Sequence, residues 1–432
     1  MKLVILGGGG FRVPLVHSAL LDPSSPITSL VLHDVDAGRL AAISRVIEAQ
    51  GHGPALSATT DLTEALTGAD FVFSAIRVHG LPGRVIDEKV AIGLGVLGQE
   101  TTGAGGVSYG LRTVPVADAI ARRIALVAPS AWVINFTNPA GLVTEAMAAH
   151  LGDRVIGICD SPSALGRRVA RALGLTSSYS LGYAGLNHLG WLSSVTSGGV
   201  DVLPSLFDAS DDTLRSFEEG RLFGPARLRA LRAVPNEYLH YYYDTASSVR
   251  AEQAAAETRG EFLLRQQTAC YDAIGSGDPL AAWTAALRER DATYMSLEGL
   301  DRDASAGGGG YEQVALELMR ALASDVPASL ILNVRNRGAL DIVDADAVVE
   351  VPCTVTSDGP VPVTGVSVPG HGVALVRRVK ATERAVLSAA ANGSRAVAVR
   401  AMASHPLVDS VPLARALIDA YRSEFPELAY LR

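Results

Sequence analysis

Met1-Lys2-Leu3-Val4-Ile5-Leu6 runs straight into Gly7-Gly8-Gly9-Gly10 and then Phe11-Arg12-Val13-Pro14. An apolar run that breaks at a glycine turn and resumes as a helical pattern reads as strand, loop, helix. Glycines at that turn let backbone N–H groups approach a pyrophosphate at a helix N-terminus. The spacing satisfies Gly-x-Gly at Gly7 and Gly9, and Arg12 stands where a third glycine would fall. Because the early run leads directly into glycines, it reads as a strand rather than a secretory signal. The second strand pattern ends at His33-Asp34-Val35-Asp36. An acid there can hydrogen-bond a ribose 2′-hydroxyl, which favours NAD over NADP. Capping the next helix is the other use for Asp34.

The alternation continues outward from this unit. Apolar runs at Leu3–Leu6, Leu30–Leu32, Phe71–Ala75, Trp132–Phe136 and Val155–Ile158 are separated by helical patterns at Pro14–Leu21, Ala37–Ala49, Leu62–Leu66, Leu111–Val127 and Leu142–His150. Strand–helix alternation predicts an α/β fold with a doubly wound, parallel, Rossmann-type sheet. Residues 1–165 are therefore expected to form an NAD-binding domain. Residues 166–432 are expected to form an α+β domain for substrate, metal and oligomer contacts, as in lactate and malate dehydrogenases. Within it, Ser178–Tyr183 and Trp191–Thr196 read as strands without a crossover helix. Residues 205–325 read as mostly helical, with Ala251–Tyr271 the clearest helix. Residues 329–377 read as strands, with helices over 380–402 and 411–424. Gly307–Gly310 reads as a flexible loop, either a surface linker or an active-site lid.

Composition narrows the partners. The 432 residues are 48% hydrophobic and 19% charged, an ordinary globular balance. A formal net charge of −8 argues against nucleic acid. No apolar run is long enough for a membrane helix. The three cysteines, Cys159, Cys270 and Cys353, are too few for a disulfide framework and fit a reducing, cytoplasmic setting.

Chemistry concentrates at predicted strand ends. Gly157-Ile158-Cys159-Asp160 and Gly185-Leu186-Asn187-His188 offer one thiolate and one imidazole. Each alone is commonly a packed core residue; together they could hold a divalent transition metal. Two protein ligands would leave positions open for water and substrate hydroxyls. In Asn135-Phe136-Thr137-Asn138-Pro139, Asn138 is either a helix cap or an amide aimed at a sugar hydroxyl. Arg84 either grips an anion or is a solvated surface arginine. The stretch Gly98-Gln99-Glu100-Thr101-Thr102-Gly103 is denser in hydrogen-bonding side chains than a plain turn requires. Tyr238-Leu239-His240-Tyr241-Tyr242-Tyr243 supplies four phenols, mostly for packing, of which one near a cation could act as a base.

Taken together with Asn333-Val334-Arg335-Asn336, these motifs resemble the NAD- and metal-dependent glycosidases of glycoside hydrolase family 4, and among them most the 6-phospho-β-glucosidases. The resemblance covers essentially the whole chain. It implies Gly7, Gly8, Gly9, Gly10 and Asp34 as cofactor contacts, and Cys159 and His188 as ligands to Mn²⁺ or a similar ion. Tyr238 is implied as the base at sugar C2. Arg84, Asn138 and Asp160 are implied as substrate contacts, the helix containing Arg250 as the source of a contact to a substrate phosphate, and the assembly as a homodimer or homotetramer. The implied reaction is hydrolysis by transient oxidation at C3. Two positions depart from the family pattern: Arg12, where relatives often carry a small hydroxyl residue, and Asp160, where many 6-phospho-β-glucosidases carry Asn. A non-phosphorylated or α-linked sugar is the nearest alternative substrate, and a 2-hydroxyacid dehydrogenase the alternative activity.

Overall fold

The computed structural model describes residues 1–176, 178–293 and 310–432. Six parallel strands form its first half: β1 (Lys2–Leu6), β2 (Ser29–His33), β3 (Ala55–Thr59), β4 (Phe71–Ser74), β5 (Trp132–Asn135) and β6 (Val155–Gly157). Their spatial order is β3-β2-β1-β4-β5-β6. That is the doubly wound dinucleotide-binding order, whose chain direction switches between β1 and β4. The switch opens a crevice at the carboxyl ends of both strands, next to the glycine loop.

The sequence explains why this sheet is covered on both faces. Leu3 and Ile5 of β1 pack into a core with Val13, Val16, Leu40 and Ile43. Val4 and Leu6 point the other way, into a second core with Ala117, Ile124, Val143 and Met147. A strand buried on both faces must be apolar at every position, which is the run seen in the sequence.

Seven further strands extend the same sheet: β7 (Tyr179–Leu186), β8 (Leu189–Ser197), β9 (Val200–Asp201), β10 (Val234–Pro235), β11 (Ala328–Arg335), β12 (Val348–Thr356) and β13 (Gly359–Pro362). β11 pairs antiparallel with β6 at Asn333 and Gly157. β12 joins β11 to β7, and β7 and β8 form a hairpin. The sheet is thus continuous past residue 165, and its antiparallel half faces the parallel half across β6.

Several expected bounds move. The single helix expected over Ala251–Tyr271 is two, Thr245–Ala254 and Arg259–Ser276. The second is started by a capping box: Thr258 Oγ1 accepts the Glu261 N–H at 3.2 Å and Glu261 Oε2 accepts the Thr258 N–H at 3.0 Å. The strand-like reading up to residue 377 is overturned by a helix over Val373–Asn392. The next helix, Arg395–Ser404, is separate because Gly393 turns the chain at φ 62° beside the Tyr430 carbonyl. The helix expected from Leu111 begins at Ala104, because Gly105 and Gly106 pass 2.4 and 2.3 Å (measured to a hypothetical Cβ) from the Gln99 and Thr101 carbonyls. Of the glycine loop, 307–309 lie outside the described residues, and Gly310 caps the helix Tyr311–Ala323. Among the described residues, no helix is long and apolar enough to cross a membrane.

Candidate active site

The glycine loop forms because Gly7 takes φ 81° and has no room for a side chain; a Cβ would stand 2.5 Å from the Ala75 carbonyl oxygen. Gly7 and Gly8 both donate to the His33 carbonyl, at 2.9 and 2.8 Å. Gly8 packs against Leu32 of β2, while Gly7 and Gly10 line the cleft. Asp34 accepts the Gly9 N–H at 2.9 Å and the Asp36 N–H at 3.1 Å. It is not the helix cap; Asp36 is, accepting from Arg39 N–H at 3.0 Å. Asp34 therefore faces the cleft with lone pairs to spare.

From this loop a cleft of about 1200 Å³ runs to the hairpin of β7 and β8. Cys159, Asp160, His188, Tyr238, Asn138 and Arg84 all line it. Cys159 sits two residues past β6, buried at 6% exposure. Burial pushes its thiol well above the usual range, and the charges of Glu350 and Asp160 push it further. His188 occupies the two-residue turn between Leu186 and Leu189 at φ 60°. A non-glycine residue in that region costs of order 1 kcal/mol, a strain found most often at functional sites. Its Nδ1 meets Thr101 Oγ1 at 2.9 Å, which leaves Nε2 for a ligand. Burial lowers the imidazole to about 4, against the opposing pull of Glu100 and Asp160, so it is neutral at pH 7.

The Gln99–Thr102 stretch is a scaffold for that histidine. Gln99 Oε1 accepts from the backbone of Thr101 and Thr102, both at 2.6 Å, and from Thr101 Oγ1 at 3.0 Å. Tyr238 is carried to the same spot by Asn236, which accepts the Tyr238 N–H at 3.1 Å while donating its own N–H to the Gly190 carbonyl at 2.9 Å. The remaining tyrosines mainly pack: Tyr242 stacks on His405, and Tyr243 Oη accepts the Trp191 Nε1–H at 2.9 Å.

Asn138 is not a cap; the helix Ala140–Leu151 is preceded by Pro139 with no side-chain cap. Among the described residues its buried Oδ1 has no hydrogen-bond partner, and the residue lines the cleft. Such an orphaned acceptor costs free energy unless a ligand donates to it. Arg84 pairs with Glu88 and Glu100, each at 2.7 Å. Burial would raise Glu100, but Arg77 and Arg84 hold it well below the usual carboxylate range.

Arg250, expected as a phosphate contact, is exposed and does not line the cleft. Its helix presents Glu252 instead, which accepts the Gly98 N–H at 2.7 Å. Arg290 also lines the cleft, and the sequence reading passed over it because nothing in its surroundings marks it. Burial and the charges of Arg12, Arg259 and Arg84 lower its guanidinium to about 9. Arg84 is compensated by Glu88 and Glu100, and Arg12 faces Asp160. The two departures, Arg12 and Asp160, face each other at 3.8 Å, with Arg12 also stacked 4.2 Å over the Tyr311 ring.

A divalent cation fits these donors. A neutral imidazole and a thiol flanked by carboxyl groups suit a transition metal. Among the described residues, no third His, Cys, Asp or Glu completes a metal cluster, so open coordination positions would remain.

Comparison with known proteins agrees with this geometry. Residues 2–175 match the family 4 glycosyl hydrolases, and residues 183–408 match the C-terminal domain of that family. The chain belongs to glycosyl hydrolase family 4 and is a glycosidase. It is 30% identical to the 6-phospho-beta-glucosidase of Escherichia coli over 453 residues, covering 99% of this chain and 97% of that one. The 6-phospho-beta-glucosidase of Thermotoga maritima, solved with NAD and glucose-6-phosphate, superposes with a TM-score of 0.84 at 26% identity, covering 98% of each chain. A 6-phospho-alpha-glucosidase from gut microorganisms, solved with NAD and Mn²⁺, superposes with a TM-score of 0.79 at 26% identity, covering 98% of this chain and 97% of that one.

Proposed function

We propose that this protein hydrolyses 6-phosphorylated glucosides by a transient oxidation of the sugar at C3, with NAD and a divalent cation such as Mn²⁺ in the cleft. The observation that carries the reading is the convergence of Cys159, His188, Tyr238 and the orphaned Asn138 Oδ1 in one cleft with the glycine loop. NAD, Mn²⁺ and glucose-6-phosphate in the solved relatives support the cofactors and the phosphate. Arg290 and its arginine neighbours support an anionic substituent.

When bound, the nicotinamide supplies a reversible hydride acceptor and the cation a Lewis acid for the sugar oxygens. The side-chain-free turn at Gly7–Gly10 would let the pyrophosphate approach the N-terminus of the helix that follows, and Asp34 would hold the ribose. Cys159 as thiolate and His188 through Nε2 would hold the cation. Asn138 Oδ1 would accept a hydrogen bond from a sugar hydroxyl. A glycoside C2–H is not acidic, but beside a C3 ketone it is. The Tyr238 oxygen takes that proton and the aglycone leaves C1 with its bonding electrons. The departing oxygen takes up the proton held by Tyr238, and water then adds its hydroxyl at C1 while a proton from solvent returns to C2. Oxidation and reduction at C3 cancel, so the net change is hydrolysis.

Relatives of both anomeric specificities match, so α- and β-linked substrates enter the test together. The assay is a panel of p-nitrophenyl α- and β-glucosides, with and without 6-phosphate, given NAD⁺, Mn²⁺ and reductant. Nitrophenol release from a phosphorylated member without NADH accumulation supports the proposal. Net NADH production from a 2-hydroxy acid, with no glycoside cleaved, points to the dehydrogenase alternative.

A further inference from the structure

Gly157, Asn333, Glu350 and Gly185 stand side by side in one row across β6, β11, β12 and β7. The two ends of this row lead to the two proposed ligands: Cys159 lies just beyond Gly157, and His188 just beyond Gly185. Neither end has room for a side chain. A Cβ on Gly157 would stand 2.8 Å from the Asn333 Cβ, and one on Gly185 would stand 2.2 Å from the Leu189 carbonyl oxygen.

At the middle of the row, Glu350 is buried at 1% exposure. Its Oε1 accepts from Asn333 Nδ2 at 2.8 Å and from Asn187 Nδ2 at 3.3 Å. Its Oε2 accepts from the Tyr183 hydroxyl at 3.2 Å. All three donors are neutral, and among the described residues no cation pairs with this carboxylate. Neutral donors satisfy the oxygens without cancelling the charge, and burial pushes the carboxyl group up to about 7, so a cation nearby would favour its ionised form. Asn187, the residue before His188, ties the same carboxylate to the strained hairpin turn.

We propose that Glu350 is a positioning residue for the divalent cation, fixing the His188 turn through Asn187 and placing a compensating negative charge behind Cys159. This rests on Cys159 and His188 being the metal ligands. Carboxylates one shell out from a metal commonly set affinity in this way.

The test is Mn²⁺ binding to the full-length protein, read from the electron paramagnetic resonance of free aquated Mn²⁺, with no turnover required. Wild type should bind Mn²⁺ saturably and Cys159→Ser should not; failure of wild type to bind overturns the metal reading and this inference together. With wild-type binding established, Glu350→Gln should weaken Mn²⁺ by about 10- to 100-fold, while NAD affinity by calorimetry is retained. Wild-type Mn²⁺ affinity in a folded Glu350→Gln overturns the inference alone. A carboxylate with only a structural role would lower the Tm without moving the Mn²⁺ Kd. Should Glu350→Gln not fold, Asn187→Ala decides: it keeps the charge but frees the turn, and should weaken Mn²⁺ by about tenfold, the low end of that range. Unaltered affinity there overturns the inference.

Discussion

The Tyr238 ring lies flat against the His188 imidazole, with centroids 3.6 Å apart and planes 5° apart. Both rings are fastened to the β7–β8 hairpin, His188 by the turn itself and Tyr238 through Asn236 and Gly190. The stack fixes the phenol beside a metal-ligand candidate, where a C2 proton would be removed.

Tyr238→Phe keeps the stack and removes the oxygen. We expect kcat to fall about 10²- to 10⁴-fold, the usual worth of a general base. Mn²⁺ affinity and Tm should stay at wild-type values. Steady-state kinetics with a saturating phosphoglucoside check this; an active variant would remove Tyr238 from the chemistry.

Arg290→Met should separate phosphorylated from plain substrates. Its guanidinium is lowered to about 9 by burial and by three neighbouring arginines, so an anion between them gains most. We expect kcat/KM for a 6-phosphoglucoside to drop about 10- to 100-fold, the worth of a charged hydrogen bond of 1.5–3 kcal/mol. The same ratio measured on the unphosphorylated glucoside should hardly change. An equal loss on both would place Arg290 outside the phosphate site.

Stability has its own test in Asp87 and Arg112, whose side chains are fully buried and paired at 2.7 Å. Arg112 also lies 3.9 Å over the Phe425 ring, tying the helix Gly80–Gly93 to the C-terminal segment. Asp87→Ala leaves the guanidinium uncompensated and should cost about 3–5 kcal/mol. Urea unfolding measures it; a loss under about 1 kcal/mol, the range of exposed pairs, would show that water reaches the site.

Acid should destabilise the fold through His405. Burial, aided by the Arg378 charge, lowers its imidazole to about 3. The unfolded chain takes up that proton near the ordinary value of about 6.5. The stability is therefore fully present above pH 6.5 and declines as pH falls toward 3, by up to about 1.4 kcal/mol per pH unit. His405→Asn keeps an acceptor for the Leu407 N–H and removes the titration. Urea midpoints between pH 7 and pH 5 should fall less steeply in the variant; parallel slopes would count against this origin.

What the sequence disclosed follows from burial. β1, β2, β4, β5 and β6 are covered on both faces and read as apolar runs. β3 sits at the sheet edge with Ala55, Ser57 and Ala58 exposed, so Ala55–Thr59 carries no such run. The helix Gly80–Gly93 hides behind Gly80, Pro82 and Gly83, which read locally as a loop. The ion pair of Asp87 with Arg112 and the Gly260 N–H donated to Glu88 hold it in place. Cys159, His188 and Asn138 could be singled out because each lies in a compact motif at a strand end, whereas Tyr238 was singled out from its neighbouring tyrosines only by the family resemblance; the fold brings all four to one cleft. Arg12 with Asp160, Glu350 between two strand ends, and Arg290 were not, because their meaning depends on partners far away in the chain.

The transient oxidation is tested most directly by hydrolysis in D₂O, followed by NMR of the released sugar. Removal of the C2 proton by Tyr238 and its return from solvent predict deuterium at C2 of the product. Retention of the original hydrogen at C2 would contradict the account.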